Sequence, residues 1–220
     1  MIADSHDTCL NLLAEKLDPR AHLIKGTLRR FSMMEGVDQS FDRVFLVGYH
    51  TRAGIAGSQM DHTFSNRIVR ELKVGDRLLG ETELSALVAG YYRVPVALVT
   101  GDQALETEVQ EALPWAVFCR TKTALSRYAA LSAHPEKVRA LLAEKAREAT
   151  EKERKSLLFY TLPSPCTVEV TLHHAAMVDA VSVLPCYERM DGRTLSFRAA
   201  NALELYRYFV GMVRLASTAV

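Results

Sequence analysis

The chain has 220 residues, of which 49% are hydrophobic and 24% charged, and this composition is typical of a globular protein. Its 27 Lys and Arg residues nearly balance its 26 Asp and Glu residues, so the sequence offers no basic surface for nucleic acid or an anionic membrane. The four cysteines lie far apart without a CxxC pair, which argues against a disulfide framework and a cysteine zinc site. No apolar run is long enough to span a bilayer and no signal-peptide pattern is present, so we expect a cytoplasmic location.

The first residues are typical of a short strand that leads directly into a helix. Ser5 or Asp7 can cap this helix, and leucines at helical spacing follow as far as Asp18-Pro19: Leu10, Leu13 and Leu17. An α/β domain rarely begins one step before its first helix. We therefore expect further structure upstream of Met1.

Three short apolar runs predict buried strands: residues 44–48, 94–99 and 117–118. A helix over residues 81–89, ended by Gly90, precedes the second strand, and another helix begins after Asp102. This β-α-β-α order predicts a parallel sheet with helices on its faces. Because residues 44–48 are wholly apolar, we expect that strand to be buried on both faces. A hairpin is expected at Gly75-Asp76.

The remaining chain predicts a smaller α+β portion. A charged helix begins at Pro135, and Pro163-Ser164-Pro165 is the best candidate boundary. Two alternating strands, over residues 168–172 and 195–198, and a final amphipathic helix follow. We predict a three-layer α/β/α fold with a mostly parallel sheet, in which residues 1–162 form the core and residues 163–220 pack on it.

Histidines at the predicted strand ends are the first candidates for chemistry. His6 and His50 each follow a strand end, and ligands of open parallel sheets bind outside the carboxyl ends of the strands. His62 lies in a glycine-rich loop, and Glu81 lies where a loop becomes a helix. Imidazole nitrogen and carboxylate oxygen are ligands that suit zinc. Spacing alone leaves the alternatives open, because isolated histidines are usually surface or core residues and Glu81 suits the first turn of any helix.

Other chemistries have weaker support in the sequence. Cys119 could act as a nucleophile, but its apolar strand favours a buried structural thiol. The segment Gly54-Ile55-Ala56-Gly57 matches neither a phosphate-binding loop nor a dinucleotide fingerprint. Arg29-Arg30 is too short a basic patch for nucleic acid.

Taken together, short motifs in order along the chain resemble the DppA-type D-aminopeptidases, zinc enzymes named for the dipeptide-transport operon. The resemblance is strongest from residue 4 to about residue 132 and is less distinctive beyond, where Asp191-Gly192-Arg193-Thr194 is consistent with it. The motifs are Asp4-Ser5-His6, Glu15-Lys16-Leu17-Asp18-Pro19, Phe31-Ser32-Met33-Met34-Glu35-Gly36-Val37-Asp38, Gly48-Tyr49-His50-Thr51-Arg52-Ala53, Asp61-His62, Gly80-Glu81, Val88-Ala89-Gly90-Tyr91-Tyr92, Val94-Pro95-Val96 and Gly101-Asp102.

The resemblance implies an aminopeptidase that removes N-terminal D-residues from short peptides at a site with two zinc ions. It implies that His6 and Glu81 bind one zinc, that His50 binds the other, and that His62 is the catalytic histidine. It also implies an α/β fold and a homo-oligomer, a decamer of stacked rings that encloses an inner chamber. No nucleic acid or membrane partner is expected.

One part of the family pattern is absent from this sequence. The family begins with a strand that ends in an Asp-x-Glu motif, whose carboxylates bind both metals, upstream of the Asp-Ser-His segment. The present sequence starts at that segment, so we expect an N-terminal truncation, fewer than two zinc ions per chain and impaired activity. The alternatives are a non-catalytic oligomeric scaffold or peptide-binding homologue, and a different metal hydrolase on a related fold.

Overall fold

The computed structural model describes residues 1–219 of the chain. The helices are α1 (Glu81–Tyr91), α2 (Gln103–Ala112), α3 (Pro135–Glu151), α4 (Ala175–Val181) and α5 (Ala202–Ala216). The strands are β1 (Ile2–Ala3), β2 (Leu23–Ile24), β3 (Val44–Leu46), β4 (Val69–Val74), β5 (Arg77–Leu78), β6 (Val96–Gly101), β7 (Val117–Arg120), β8 (Lys122–Ser126), β9 (Ala129–Ser132), β10 (Cys166–Leu172), β11 (Glu188–Arg189) and β12 (Thr194–Ala199). Among the described helices, none has both the length and the apolar character that a membrane span requires.

A parallel sheet with the strand order β3-β6-β7 confirms the α/β prediction. The central strand, β6, is buried along its whole length. Its residues Ala97 and Leu98 pack in a cluster with α3, whereas Val96 and Val99 belong to the main core. Cys119 in β7 is 1% exposed, as expected for a thiol with a structural role.

The strand β3 lies at an edge of this sheet, and the prediction that residues 44–48 are buried on both faces is wrong. Within residues 1–219, β3 pairs with β6 alone, and Phe45 and Val47 are 38% and 62% exposed. An apolar run indicates a strand, but its composition does not reveal whether a second neighbour pairs with it. Here the second neighbour is missing from the described residues, so one edge faces outward.

The N-terminal segment forms a loop and a parallel pair, β1 with β2, instead of the predicted helix. Asp4 is 3% exposed, and its carboxylate accepts hydrogen bonds from the backbone N–H groups of Asn11 (2.6 Å) and Leu12 (2.8 Å). Asp7 and Cys9 have φ angles of 49° and 57°. A helix needs negative φ angles and uses those N–H groups itself, so the buried carboxylate folds the segment back before a helix can form.

A five-stranded antiparallel sheet with the order β11-β12-β10-β4-β5 joins the two predicted portions of the chain. The strand β10 pairs with β4 on one side and with β12 on the other, which confirms the alternating strand over residues 168–172. The residues of Pro163-Ser164-Pro165 are exposed, as a boundary would be. The division into residues 1–162 and 163–220 stays a prediction, and the two portions share this sheet.

Helix α1 crosses the main core and brings its first residue to the parallel sheet. Every residue from Glu81 to Gly90 is buried, and α5 packs along it. Gly90 permits this depth, since a Cβ there would lie 2.2 Å from the carbonyl oxygen of Tyr160. The start of a wholly buried helix is a rigid support for a functional side chain.

Candidate metal centre

Three of the four sequence-predicted site residues, His50, His62 and Glu81, come together in the structure. One ligand atom from each lies within 4.8 Å of the others. The Nε2 atoms of His50 and His62 lie 3.6 Å and 3.5 Å from the same carboxylate oxygen, Oε1 of Glu81. The two imidazole rings stack with their centroids 3.9 Å apart. The side chains of His50, His62 and Glu81 are 17%, 20% and 9% exposed, so the cluster is mostly shielded from solvent.

The end of β3 places His50 at the carboxyl edge of the parallel sheet. The N–H of Gly48 donates to the Thr100 hydroxyl (2.8 Å), and the N–H of Tyr49 donates to the Thr100 carbonyl (3.0 Å). Gly101 leaves room for this approach, because a Cβ there would lie 2.7 Å from the Tyr49 carbonyl oxygen. The chain therefore stays against β6 until it reaches His50, as the strand-end argument predicts.

Glu81 is the first residue of α1 and projects from the helix start. The N–H of Phe64 donates to its Oε1 atom at 2.7 Å. The next acid in the helix, Glu83, accepts a hydrogen bond from the N–H of Gly80 at 2.9 Å and so stabilises the beginning of the helix.

Backbone carbonyls fix the orientation of both imidazoles. Nδ1 of His50 lies 3.0 Å from the Thr51 carbonyl oxygen, and Nδ1 of His62 lies 2.6 Å from that of Met60. A carbonyl is only an acceptor, so each Nδ1 atom carries the proton and each Nε2 atom turns its lone pair to Glu81. Three electron-pair donors then face one another with no hydrogen between them. Such an arrangement needs a cation or an added proton to be stable.

Electrostatics keep His50 in the form that binds metal. Burial lowers the pKa of His50, and the nearby His62 ring lowers it further, whereas the negative charge of Glu81 opposes both effects. A neutral imidazole is the form that offers a lone pair. His50 is therefore ready to act as a ligand at neutral pH.

The three residues fit a zinc ion. Two imidazole nitrogens and one carboxylate oxygen are a common protein ligand set for zinc, which leaves a further position open for water or substrate. Tetrahedral zinc with ligand distances of about 2.0–2.1 Å separates its ligand atoms by roughly 3.3 Å. The separations of 3.5 Å and 3.6 Å between the histidine Nε2 atoms and Oε1 of Glu81 are close to that value.

His6, the fourth predicted residue, is not part of this cluster. It is exposed, and it lies in the loop after β1, which Asp4 and Asn11 organise. The parallel pair β1–β2 that carries this loop is a separate sheet from β3-β6-β7 among residues 1–219. The role of His6 as a zinc ligand stays a prediction.

An ion pair between Arg52 and Glu108 was not predicted from the sequence. The N–H of Arg52 donates to Glu108 at 3.1 Å, and its Nε atom lies 3.5 Å from the other Glu108 oxygen. Burial, reinforced by the charge of Glu83, raises the pKa of Glu108 to about 7. Helical spacing could have revealed that Glu108 is buried, because it lies on the same face of α2 as the buried residues Leu105 and Val109.

Comparison with known proteins gives one consistent result. The family model for the M55 peptidases, described as D-aminopeptidase, matches residues 1–210. A D-aminopeptidase of Bacillus subtilis (strain 168) is 35% identical over 217 residues, which are 98% of this chain and 78% of that protein.

The fold comparison agrees with the sequence comparison. The solved structure of the Zn-dependent D-aminopeptidase DppA from Bacillus subtilis, described as a self-compartmentalizing protease, matches with a TM-score of 0.92 at 34% identity. The match covers 98% of this chain and 78% of that one. Sequence, fold and the cluster of two histidines and a glutamate thus point the same way, and the chain belongs to the M55 family of D-aminopeptidases.

Proposed function

We propose that this chain is a metal-dependent aminopeptidase that releases N-terminal D-amino acids from short peptides. The observation that carries the proposal is the convergence of two Nε2 atoms on one oxygen of Glu81, with both Nδ1 protons held by backbone carbonyls. The relatedness to a Zn-dependent D-aminopeptidase supports zinc as the metal. We assign zinc binding to His50 and Glu81 and proton transfer to His62.

Each residue of the cluster has a distinct part in this proposal. A bound zinc ion would polarise the scissile carbonyl and lower the pKa of a coordinated water. His50 and Glu81 would hold the metal through Nε2 and the carboxylate. His62 keeps its Nδ1 proton on the Met60 carbonyl, and its side chain is 20% exposed, so Nε2 can exchange a proton with solvent. It would deliver that proton to the amine that leaves.

The number of metal ions follows from the residues in the cluster. Two of its groups, His50 and Glu81, are the proposed ligands of one zinc whose other positions stay open to water and substrate, and we propose fewer than two zinc ions per chain. We keep His6 as a proposed additional ligand. The metal content of the protein, with and without a His6→Ala substitution, measures that contribution directly.

The direct test combines metal analysis with hydrolysis. Zinc should co-purify at less than two equivalents per chain, and D-alanyl p-nitroanilide should be hydrolysed faster than the L-alanyl substrate. A chelator should abolish the reaction, and added zinc should restore it. A protein that binds no zinc, hydrolyses neither substrate and still assembles would instead be the peptide-binding scaffold. Cleavage of other amide or ester substrates alone would indicate a different hydrolase.

We also propose that the chain assembles with copies of itself. The related enzyme from Bacillus subtilis is described as self-compartmentalizing. In this chain the β8–β9 hairpin exposes Leu125, Tyr128 and Leu131 by 70%, 73% and 67%, and apolar side chains grouped in this way are typical of interaction surfaces. Light scattering should give a mass that is a multiple of 24.5 kDa, and a mass of one chain would contradict the proposal.

A further inference from the structure

His62 is carried by an irregular segment, residues 54–62, which we call the His62 loop. It contains neither helix nor strand. Gly54 and Gly57 have φ angles of 88° and 73°, and Met60 has a φ angle of 58°. A segment with such a backbone has no hydrogen-bond ladder of its own. Its geometry therefore depends on the groups that it contacts.

Asp102 joins the middle of this loop to the rigid part of the fold. Its Oδ1 atom caps α2 by accepting hydrogen bonds from the N–H groups of Ala104 (3.1 Å) and Leu105 (3.0 Å). Its Oδ2 atom accepts from the Ser58 hydroxyl (3.1 Å) and from the N–H of Gln59 (2.7 Å). Asp102 is 1% exposed, so water is not at hand to replace these bonds.

The hydrogen bond between Asp102 and Gln59 helps to position the imidazole of His62. Gln59 precedes Met60, and the Met60 carbonyl oxygen holds Nδ1 of His62 at 2.6 Å. We propose that Asp102 is a positioning residue, whose Oδ2 atom fixes the His62 loop so that Nε2 of His62 faces Glu81. Its importance for turnover rests on the proposed function, whereas the positioning itself does not.

Other contacts hold the parts of the loop on either side of residues 58 and 59, among them a hydrogen bond from the N–H of Met60 to the Arg127 carbonyl at 2.9 Å. The side chain of Gln103 donates to the Gly57 carbonyl at 2.7 Å, and that of Arg127 donates to the Asp61 carbonyl at 2.9 Å. Loss of the Asp102 contact should therefore free residues 58 and 59 while the loop stays attached. A variant at Asp102 is expected to fold and to show a local effect.

Asp102→Asn separates the two tasks of the carboxylate. The amide keeps one oxygen, which can cap α2, but it presents an NH₂ group where Gln59 needs an acceptor. Asn201→Ala is the matched control, because Asn201 caps α5 through Leu203 and Glu204 at 3.0 Å each and makes no contact with the loop. Ser58→Ala removes a single bond to the same Asp102 oxygen.

Hydrogen exchange of the metal-free protein, read by mass spectrometry, tests the positioning. In Asp102→Asn, amides of the His62 loop should exchange about tenfold faster, and the start of α2 should change little. In Asn201→Ala the start of α5 should loosen and the loop should not. Unchanged loop exchange in Asp102→Asn, or equal loosening of the loop in Asn201→Ala, would overturn the proposal.

Kinetics of the zinc-loaded protein provide the second readout. Misplacement of the imidazole should lower kcat on the D-alanyl substrate by about a hundredfold, with KM within about threefold of the parent value. Asn201→Ala should keep the parent kcat. A parent protein without turnover, combined with a loosened loop in Asp102→Asn, would refute the proposed function and leave the positioning role supported. Parent-like kcat in Asp102→Asn with parent-like loop exchange would refute the positioning role alone.

Discussion

At the scale of single residues, the roles of His50 and His62 can be separated even though both face Glu81. His50→Ala removes a proposed ligand and should lower zinc occupancy together with turnover. His62→Ala should keep the zinc content of the parent and reduce kcat by about 10²–10⁴-fold, the usual range for loss of a general acid or base. Metal analysis and kinetics on the same samples check both outcomes. Equal loss of zinc in the two variants would make His62 a ligand.

Glu108 predicts a pH dependence of stability. Its pKa is raised to about 7 in the folded protein, first because it is buried and then because Glu83 is nearby. The folded state therefore keeps a proton that the unfolded state loses near pH 4.5, and the free energy of unfolding falls as the pH rises from about 4.5 to about 7. The fall has an upper limit of about 3 kcal/mol.

Glu108→Gln should remove that part of the pH dependence. Denaturation at pH 5 and pH 8, in the presence of a chelator, compares the slopes of parent and variant. Glu136→Gln is the control, since Glu136 is an exposed glutamate at the start of α3 and is not among the groups that shift the pKa of Glu108. Identical slopes for the parent and Glu108→Gln would contradict the assignment.

The candidate site shows what sequence can and cannot predict at this scale. His50 and Glu81 stood out because a strand end and a helix start are recognisable locally and because the motifs around them resemble a family. Glu108 and Asp102 act through contacts with residues far away in the chain, such as Arg52 and Gln59, and no local pattern reveals those partners. His6 shares the strand-end signal of His50, yet its strand belongs to another sheet.

At the scale of elements, two helical glycines should respond oppositely to the same substitution. A Cβ at Gly90 would lie 2.2 Å from the Tyr160 carbonyl oxygen, so Gly90→Ala should destabilise the protein by about 2–3 kcal/mol. Gly211 in α5 has its nearest neighbour, the Tyr187 hydroxyl, at 3.6 Å, and Gly211→Ala should stabilise by about 0.5–1 kcal/mol. Urea denaturation measures both changes. Stabilisation by Gly90→Ala would show that α1 is less closely packed than described.

Elements with strong local patterns were predicted, and those that depend on distant contacts were not. The strand β6 and the cap of α2 follow from an apolar run and from Asp102. The β8–β9 hairpin turns at Arg127-Tyr128, which lacks the glycine or asparagine that usually marks a two-residue turn. The failed N-terminal helix had correct leucine spacing, but the buried Asp4 carboxylate competed for its backbone N–H groups.

At the scale of the whole molecule, bound zinc should stabilise the fold. The proposed ligands His50 and Glu81 lie at the end of the parallel sheet and at the start of α1, so unfolding would separate them. At a free zinc concentration of 100 times Kd, the free energy of unfolding should rise by about 2.7 kcal/mol relative to the chelated protein. Thermal and chemical denaturation measure the gain.

Two histidine variants test where that gain arises. His50→Ala should lose the response to zinc. His174→Ala should keep it, because His174 is exposed at the start of α4 and makes no side-chain cap there. An equal response in all three proteins would place the stabilising metal outside the cluster.

The position of β10 between β4 and β12 has a consequence for synthesis. While the ribosome has released only the first two thirds of the chain, β4 has β5 as its sole partner in that sheet, and the core face of α1 lacks α5. Contacts between such distant segments form slowly, and the nascent chain meanwhile displays apolar surface. The metal-binding half thus completes its fold only after the segment from β10 to α5 has emerged from the ribosome.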